Sequence, residues 1–216
     1  MKTAKVLIDS HYKAHVCSGY SIKLNQRSLG NDIYMIEVKV ENIVASTVFA
    51  LKLDLDFISQ SLEETEYEPE QFPGLVYRLK NPKTATLLFT SGKANCTGAK
   101  NIEEVRKTID IIAEKLRELG MDIHKNLGMV VQNMVATANL GGELNLTETA
   151  IGLGLENIEY EPEQFPGLVY RIKEPKVAML LFSSGKIVCA GARSKEDVSK
   201  AVEKLFEELS SLGLLH

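Results

Sequence analysis

The chain contains one sequence unit written twice. Residues 66–78, EYEPEQFPGLVYR, recur without change at residues 159–171, and FTSGK at 89–93 recurs as FSSGK at 182–186. Two copies are too few for a stacked repeat array, which needs about three or more units. The pattern therefore predicts an intramolecular pseudo-dimer with approximate two-fold symmetry. Such a molecule suits a partner that has the same symmetry, and duplex DNA is one.

The repeat extends well beyond its identical block. VENIVAS at 40–46 matches VQNMVAT at 131–137, and NCTGAKNIEE at 95–104 matches VCAGARSKED at 188–197. The matches predict four segments along the chain, namely an N-terminal extension at 1–32, a first repeat at 33–120, a linker at 121–125 and a second repeat at 126–213. The sequence leaves the role of the extension open between a basic arm, an additional strand and an artefact of where translation is taken to start.

Composition is that of an ordinary soluble globular protein. The 216 residues are 44% hydrophobic and 25% charged, and no apolar run is long enough to span a bilayer. The net charge is −4 and the basic surplus lies in the first 30 residues, so bulk charge gives no support for nucleic-acid binding. The N-terminus lacks the pattern of a secretory signal. Cys96 and Cys189 occupy equivalent apolar positions, which predicts reduced core residues and an intracellular protein.

Each repeat has the same predicted order of elements: a long strand, a short helix, three strands and a long helix. In the first repeat we predict strands at 33–47, 75–80, 85–91 and 93–98, a short helix at 54–62, and a long helix capped by Asn101 and ended by Gly120. The second repeat carries about two extra residues, near 141–142 or 151–152, and Ser194 caps its long helix. This order predicts an α+β fold with the helices on one face of an antiparallel sheet.

The other face of the predicted sheet carries no helices. Strand residues of one parity share a face, and in the first repeat this face carries Asn42, Val44, Val76, Arg78, Leu87, Phe89, Asn95 and Thr97. The equivalent residues of the second repeat are Asn133, Val135, Val169, Arg171, Leu180, Phe182, Val188 and Ala190. The opposite parity supplies Leu75, Tyr77, Leu79, Leu88 and Cys96 for the core. A large apolar face with isolated polar groups predicts a binding partner.

These motifs, in order and in duplicate, resemble the TATA-box-binding protein family in its compact archaeal form. The resemblance covers residues 33–213 and rests on ENIVAS with QNMVAT, the two YEPEQFPGLVYR blocks, FTSGK with FSSGK, and CTGAK with CAGAR. It implies two pseudo-symmetric repeats that form one saddle-shaped curved antiparallel sheet with helices on the convex face. It also implies a general transcription factor that binds the minor groove of the TATA element, kinks the DNA and has neither enzymatic activity nor a cofactor.

The resemblance assigns four groups of residues to this function. The residues expected to wedge between base steps are Phe72, Phe89, Phe165 and Phe182. Those expected to contact bases are Asn42, Val44, Thr97, Asn133, Val135 and Val188. Those expected to contact the DNA backbone are Arg78, Lys83, Lys93, Arg171, Lys176 and Lys186. Those expected to bind transcription factor B are Glu161 and Glu163.

The implied partners are double-stranded promoter DNA and transcription factor B, with RNA polymerase reached indirectly, no membrane, and a homodimer when the protein is off DNA. The implied location is the archaeal cytoplasm, associated with the nucleoid, or the nucleus if the source is eukaryotic. Two positions depart from the family pattern: Asn95 stands where the second repeat has Val188, and Ala190 stands where the first repeat has Thr97. We expect this asymmetry to bias weakly which repeat meets which end of the DNA element.

Two other classes of function stay open. An enzyme on the same saddle, as in domains of some DNA glycosylases, needs an activated nucleophile, a base or a metal. The duplicated polar residues of the open sheet are amides, Arg and Lys, which favours binding. A protein-binding scaffold is distinguished by a band shift on A·T-rich duplex. His11, His15 and Cys17 have a spacing compatible with metal ligation, but the sequence offers no fourth ligand and no metal site is predicted.

Overall fold

The computed structural model describes residues 19–25 and 33–215. The possible metal ligands His11, His15 and Cys17 lie outside this part of the chain. The strands are β1 (Gly19–Asn25), β2 (Ile33–Val48), β3 (Thr65–Glu66), β4 (Leu75–Lys80), β5 (Lys83–Leu88), β6 (Lys93–Ala99), β7 (Val130–Asn139), β8 (Ile158–Glu159), β9 (Leu168–Ile172), β10 (Val177–Leu181) and β11 (Lys186–Ala192). The helices are α1 (Leu55–Ser61), α2 (Ile102–Glu118), α3 (Leu146–Leu153) and α4 (Lys195–Ser211), and a short 3-10 helix covers Leu155–Asn157.

The strands form one antiparallel sheet in which the two repeats are related by an approximate two-fold axis. Its order is β3-β4-β5-β6-β2-β7-β11-β10-β9-β8, so β2 and β7 join the repeats at the centre. Ile43 of β2 pairs with Met134 of β7, the residue at the equivalent position. The approximate two-fold axis therefore passes beside this pair, and rotation about it places each repeat on the other. Residues 19–25 of the N-terminal extension form β1, which pairs with the first part of β2.

The core lies between the sheet and the two long helices. The inward face of α2 buries Val105, Ile109, Ile112 and Leu116, and that of α4 buries Val198, Val202, Leu205 and Leu209. Each helix begins where the sequence predicts, because Asn101 Oδ1 accepts from the N–H of Glu104 at 2.8 Å and Ser194 Oγ accepts from that of Asp197 at 3.0 Å. Both predicted core cysteines are buried and free, and burial raises the pKa of both thiols, that of Cys189 to about 12.

The FTSGK and FSSGK motifs form the turns that follow β5 and β10. Gly92 has a φ of +75°, and a Cβ built there would lie 1.7 Å from the carbonyl oxygen of Ala50. Gly185 has a φ of +73°, and its Cβ would lie 1.9 Å from the carbonyl oxygen of Gly142. Only glycine accepts both the left-handed backbone and this close approach. The turns therefore pack tightly against the segment after β2 or β7 and fix the phenylalanine that opens each motif.

The structure corrects two local predictions. The strand expected at 85–91 is β5, which begins at Lys83 and ends at Leu88, because Lys83 already pairs with Lys80 across a tight turn. The extra residues of the second repeat do not enter at 141–142, since Asn145 caps α3 as Asp54 caps α1. They enter after α3, where the second repeat alone has the 3-10 helix. No helix within residues 33–215 is both long and apolar enough to cross a lipid bilayer.

Candidate nucleic-acid interface

The open face, defined here as the face of the sheet opposite α1–α4, carries aligned rows of side chains. Arg78 lies opposite Ala85, Ala85 lies opposite Thr97, and Thr97 contacts Asn42 near the centre of the sheet. In the second repeat Arg171 lies opposite Ala178, and Ala178 lies opposite Ala190. Each row leads from an arginine at the periphery to an asparagine near the two-fold axis. The residues that the sequence predicts for the two repeats therefore lie on one face of the sheet.

The two central asparagines are held in a fixed orientation by backbone groups. The N–H of Gly98 donates to Asn42 Oδ1 at 2.7 Å, and the N–H of Gly191 donates to Asn133 Oδ1 at 2.8 Å. Because a backbone N–H can only donate, the atom that faces it must be the amide oxygen. Both glycines lie where the register of the neighbouring strands shifts at a β-bulge. The amide nitrogens are therefore the groups left to face a ligand.

The two amide nitrogens have different surroundings. Asn42 Nδ2 donates to Thr97 Oγ1 at 3.2 Å. Ala190 occupies the equivalent position in the second repeat and has no hydroxyl, and Asn133 Nδ2 makes no hydrogen bond to any residue that the structure describes. The amide of Asn42 is therefore held more firmly than that of Asn133, because Thr97 has a hydroxyl and Ala190 does not.

Valines flank the asparagines across the two-fold axis. Asn42 lies opposite Val135, and Val44 lies opposite Asn133, so each amide has an apolar neighbour on the other repeat. All four side chains are half-buried on the open face. Farther out, Val188 is half-buried whereas Asn95, at the equivalent position, is exposed. The centre of the open face is thus apolar with two isolated donors, and the first repeat is the more polar of the two.

Two phenylalanine pairs lie at the ends of the open face. Phe72 and Phe89 have ring centroids 6.1 Å apart with their planes at 67°, and Phe165 and Phe182 have centroids 5.9 Å apart with planes at 68°. Phe72 is 42% exposed and Phe165 is 39% exposed. These fractions are high for large aromatic rings in a folded domain. The pairs make edge-to-face contacts, and their outer rings remain available to a partner.

A glycine follows each outer phenylalanine at a distance of two residues. A Cβ built on Gly74 would lie 2.6 Å from Phe72 Cε1 and 3.0 Å from Phe89 Cε1. A Cβ on Gly167 would lie 2.6 Å from Phe165 Cε1 and 3.1 Å from Phe182 Cε1. The ring pair therefore packs directly over the glycine backbone, and any larger residue there would push the rings away.

The predicted backbone-binding cations are all exposed, but they fall into two classes. The lysines Lys83, Lys93, Lys176 and Lys186 are exposed and make no ion pair with any residue that the structure describes. Arg78 is instead paired with Glu66, and Arg171 with Glu159. Each arginine holds the pKa of its glutamate below the usual range, mainly through the hydrogen bonds it donates. The lysines are free to meet phosphate, whereas the arginines already have a partner.

The predicted partner-binding glutamates lie in the loop that carries Phe165. Glu161 and Glu163 are exposed, and Gln164 Nε2 donates to the Glu161 carboxylate. The backbone N–H of Phe165 donates to the carbonyl oxygen of Glu161 at 3.0 Å, which closes the turn beneath the ring. The same loop thus presents a phenylalanine toward the open face and carboxylates to solvent.

Sequence reasoning missed an acidic group on the open face. Glu41 lies 2.9 Å from Lys39 Nζ and 3.9 Å from Lys100 Nζ, and it accepts from Thr137 Oγ1 at 3.2 Å. The hydrogen bond from Lys39 is the main cause that lowers the pKa of Glu41. Alternation counted from Asn42 would have placed Glu41 on the opposite face, and the register shift between Val40 and Asn42 brings both residues to the open face. The bulge glycines and the glutamate partners of the arginines were missed as well.

Comparison with known proteins decides the family. The family model for "Transcription factor TFIID (or TATA-binding protein, TBP)" matches residues 37–119 and 128–212, one segment for each repeat. The chain belongs to the TATA-binding protein family. Among its relatives, the TATA-box-binding protein of Picrophilus torridus is 57% identical over 181 residues, which cover 84% of this chain and 98% of the relative. That of Archaeoglobus fulgidus is 53% identical over 179 residues, which cover 83% and 98%.

A solved TATA-binding protein has the same fold. The structure of Methanococcus jannaschii TBP superposes with a TM-score of 0.76 at 50% sequence identity, and the match covers 81% of this chain and 98% of that one. The predicted family and the duplicated α+β fold with one open antiparallel sheet are therefore confirmed. The roles predicted for individual site residues rest on the geometry above and are taken up as proposals.

Proposed function

We propose that this TATA-binding protein binds the minor groove of an A·T-rich promoter element through its open face, bends the DNA, and recruits transcription factor B and, through it, RNA polymerase. The observation that carries the proposal is the arrangement of two exposed phenylalanine pairs around two central asparagines whose oxygens are already occupied. This arrangement matches the chemistry of a kinked minor groove in both shape and hydrogen bonding.

The asparagine geometry supports a preference for A·T pairs. A·T and T·A pairs present only acceptors in the minor groove, whereas a G·C pair adds the donor amino group of guanine. Asn42 and Asn133 have their oxygens engaged by Gly98 and Gly191, so only the donor end of each amide faces outward. A donor meets an acceptor on an A·T pair and another donor on a G·C pair. Val44 and Val135 add apolar bulk beside these donors, which further disfavours the amino group.

The phenylalanine pairs support bending. An apolar side chain that enters between base steps unstacks them at a cost of about a few kcal/mol per step, and the bent DNA then covers more protein surface. Phe72 and Phe165 are exposed and supported by Phe89 and Phe182. Their placement at opposite ends of the sheet predicts one kink at each end of the element. The four free lysines then neutralise phosphates outside the kinks and fix the register without reading sequence.

The acidic loop of the second repeat supports a role in recruitment. Glu161 and Glu163 lie on the solvent side of the loop that carries Phe165, so a protein partner can reach them while the ring is in the DNA. We assign this loop to transcription factor B and no catalytic role to the chain. We expect the chain to act on chromosomal DNA in the cytoplasm, which is in keeping with its similarity to TATA-box-binding proteins. Off DNA, the open face is the surface that we expect to form a homodimer, which sedimentation at two protein concentrations tests.

A bending assay on matched duplexes tests the proposal. One duplex carries a central A·T-rich element, and the other carries G·C pairs at the two central positions only. Dyes at the duplex ends report bending by energy transfer, and titration at two salt concentrations reports affinity. We expect tight binding with a strong bend on the first duplex and a loss of at least about 30-fold on the second, because two pairs change and each mismatched pair costs about 1–3 kcal/mol. Equal binding to both duplexes, or binding without bending, would overturn the proposal.

A further inference from the structure

Two glutamates accept hydrogen bonds from the same arginine N–H groups that would donate to a DNA phosphate. Arg78 Nε lies 3.1 Å from Glu66 Oε1 and its Nη2 lies 3.2 Å from Oε2. In the second repeat Arg171 Nε lies 2.9 Å from Glu159 Oε1 and its Nη2 lies 3.3 Å from Oε2. Both contacts use two parallel N–H groups, which is also how a guanidinium binds a phosphate. A carboxylate and a DNA phosphate therefore compete for the same atoms.

The pairing is built into the duplicated part of the sequence. The unchanged 13-letter block at 66–78 and 159–171 begins with the glutamate and ends with the arginine that it contacts. Glu66 lies opposite Val76 at the edge of the sheet, and Arg78 is two residues farther along the same strand. The two side chains are thus diagonal neighbours across a strand pair. Both repeats show this arrangement, so it is a regular feature of the open face.

We propose that Glu66 and Glu159 are positioning residues that compete with DNA phosphate for Arg78 and Arg171, so that each arginine changes its partner when DNA binds. The inference rests on the proposed function and adds to it a control of affinity by salt. All four side chains are exposed, so each ion pair is weak and can be displaced by the densely charged DNA backbone. The displaced carboxylate then lies beside phosphates, where it repels them and retains a cation.

The exchange changes the response to salt. A protein that neutralises phosphates releases counterions from DNA, and the logarithm of affinity then falls with the logarithm of salt concentration. A carboxylate that holds a cation at the interface lowers the net number of cations released on binding. The wild-type protein therefore has a shallower salt dependence than its number of open-face cations implies. The alternative role is a glutamate that orients its arginine for the phosphate and so raises the affinity for DNA. Neutralising such a glutamate would weaken binding.

Neutral variants separate these two roles. Glu66→Gln, Glu159→Gln and the double variant keep the size of the side chain and one acceptor oxygen while they remove the charge. Glu118→Gln is the matched control, because Glu118 forms a 2.9 Å ion pair with Lys115 on α2, away from the open face, and its loss changes the net charge equally. Affinity for a TATA-like duplex is measured at four potassium chloride concentrations, and thermal melting checks that each variant is folded.

We expect each single variant to bind about two- to fivefold more tightly at low salt, within the range of exposed ion pairs. The slope should become steeper by up to about 0.9 per arginine, while Glu118→Gln should match the wild type. A double variant with the affinity and slope of Glu118→Gln, or one that binds more weakly, would overturn the inference. A wild type that neither binds nor bends the duplex would instead overturn the proposed function, so the two failures are distinguishable.

Discussion

The Phe165 ring stands edge-on to the Phe182 ring, with centroids 5.9 Å apart and planes at 68°. The two rings come from different parts of the repeat, one from the acidic loop before β9 and the other from the FSSGK turn after β10. Phe72 and Phe89 repeat the arrangement in the first half. Such a contact contributes about 0.5–1.5 kcal/mol beyond the area that it buries. Each pair is therefore a supported wedge, in which the inner ring holds the outer one in place.

Removing an outer ring should reduce both affinity and bending. Phe165→Ala deletes surface that we expect DNA to cover, at about 1.5–3 kcal/mol for a large side chain, or roughly 10- to 100-fold in affinity. Phe57→Ala is the control, since Phe57 is 46% exposed but belongs to α1 on the helical side of the sheet. Energy transfer between dyes at the duplex ends measures the bend. If Phe165→Ala bends DNA as the wild type does, the ring is not a wedge.

A single methyl group beneath the rings should have a similar effect without removing any aromatic surface. The Cβ of Gly167→Ala would lie 2.6 Å from Phe165 Cε1, a separation that forces the ring to move. We expect weaker binding and a smaller bend, with little change in melting temperature because the displaced ring lies at the surface and outside the core. Gly128→Ala is the matched control, since a Cβ there meets no atom within 4 Å. Unchanged bending by Gly167→Ala would show that ring position is not critical.

The sequence predicts most of this surface because duplication and strand parity can both be read from the order of the residues alone. Parity alone places Arg78 and Phe89 on one face, and the repeat shows that the second half has the same face. The sequence does not reveal that Glu66 meets Arg78, because a loop of unknown path separates them. It does not reveal that the N–H of Gly98 donates to Asn42 either, because every residue except proline has such a group. Contacts made by backbone atoms or across loops are visible only in the folded structure.

Asparagine orientation predicts how one substitution should change base preference. Asn133→Asp keeps an oxygen to accept from Gly191, at 2.8 Å in the wild type, but it has no N–H group to offer the groove. We expect a loss of about 10- to 100-fold on the A·T-rich duplex, since a good base contact is worth about 1–3 kcal/mol. The loss should be smaller on the duplex with central G·C pairs, where the donor was of no use. Equal losses on both duplexes would indicate charge repulsion alone.

The acidic loop should act on the protein partner and leave DNA binding intact. Glu161→Arg reverses an exposed charge on the solvent side of the loop and removes the hydrogen bond that Gln164 Nε2 donates to the carboxylate. The N–H of Phe165 is held by the backbone carbonyl of Glu161, which the substitution keeps. We therefore expect normal affinity and bending, with recruitment of transcription factor B reduced at least tenfold in a band-shift assay. Glu148→Arg on α3, also exposed, controls for the change in net charge. Loss of DNA binding by Glu161→Arg would contradict the separate roles assigned to the loop.

The asymmetry between Thr97 and Ala190 should bias the direction in which the protein lies on DNA. Thr97 shares a hydrogen bond with Asn42, whereas Ala190 leaves Asn133 Nδ2 free to donate fully to the groove. Ala190→Thr gives both repeats the same polar contact, and Thr97→Ala removes it from both. Either change should move the ratio of the two orientations on an asymmetric A·T-rich duplex toward equality.

The double variant sharpens this test, because Thr97→Ala combined with Ala190→Thr exchanges the two environments and should reverse the preferred direction. One hydrogen bond contributes about 0.5–1.5 kcal/mol, so the ratio should change by no more than roughly tenfold in each single variant and roughly 100-fold in the double variant. A cleavage reagent tethered to one repeat reports the orientation from the end of the duplex that it cuts. Because Asn95 and Val188 remain different in all three variants, a ratio that does not move in any of them would assign the bias to that pair.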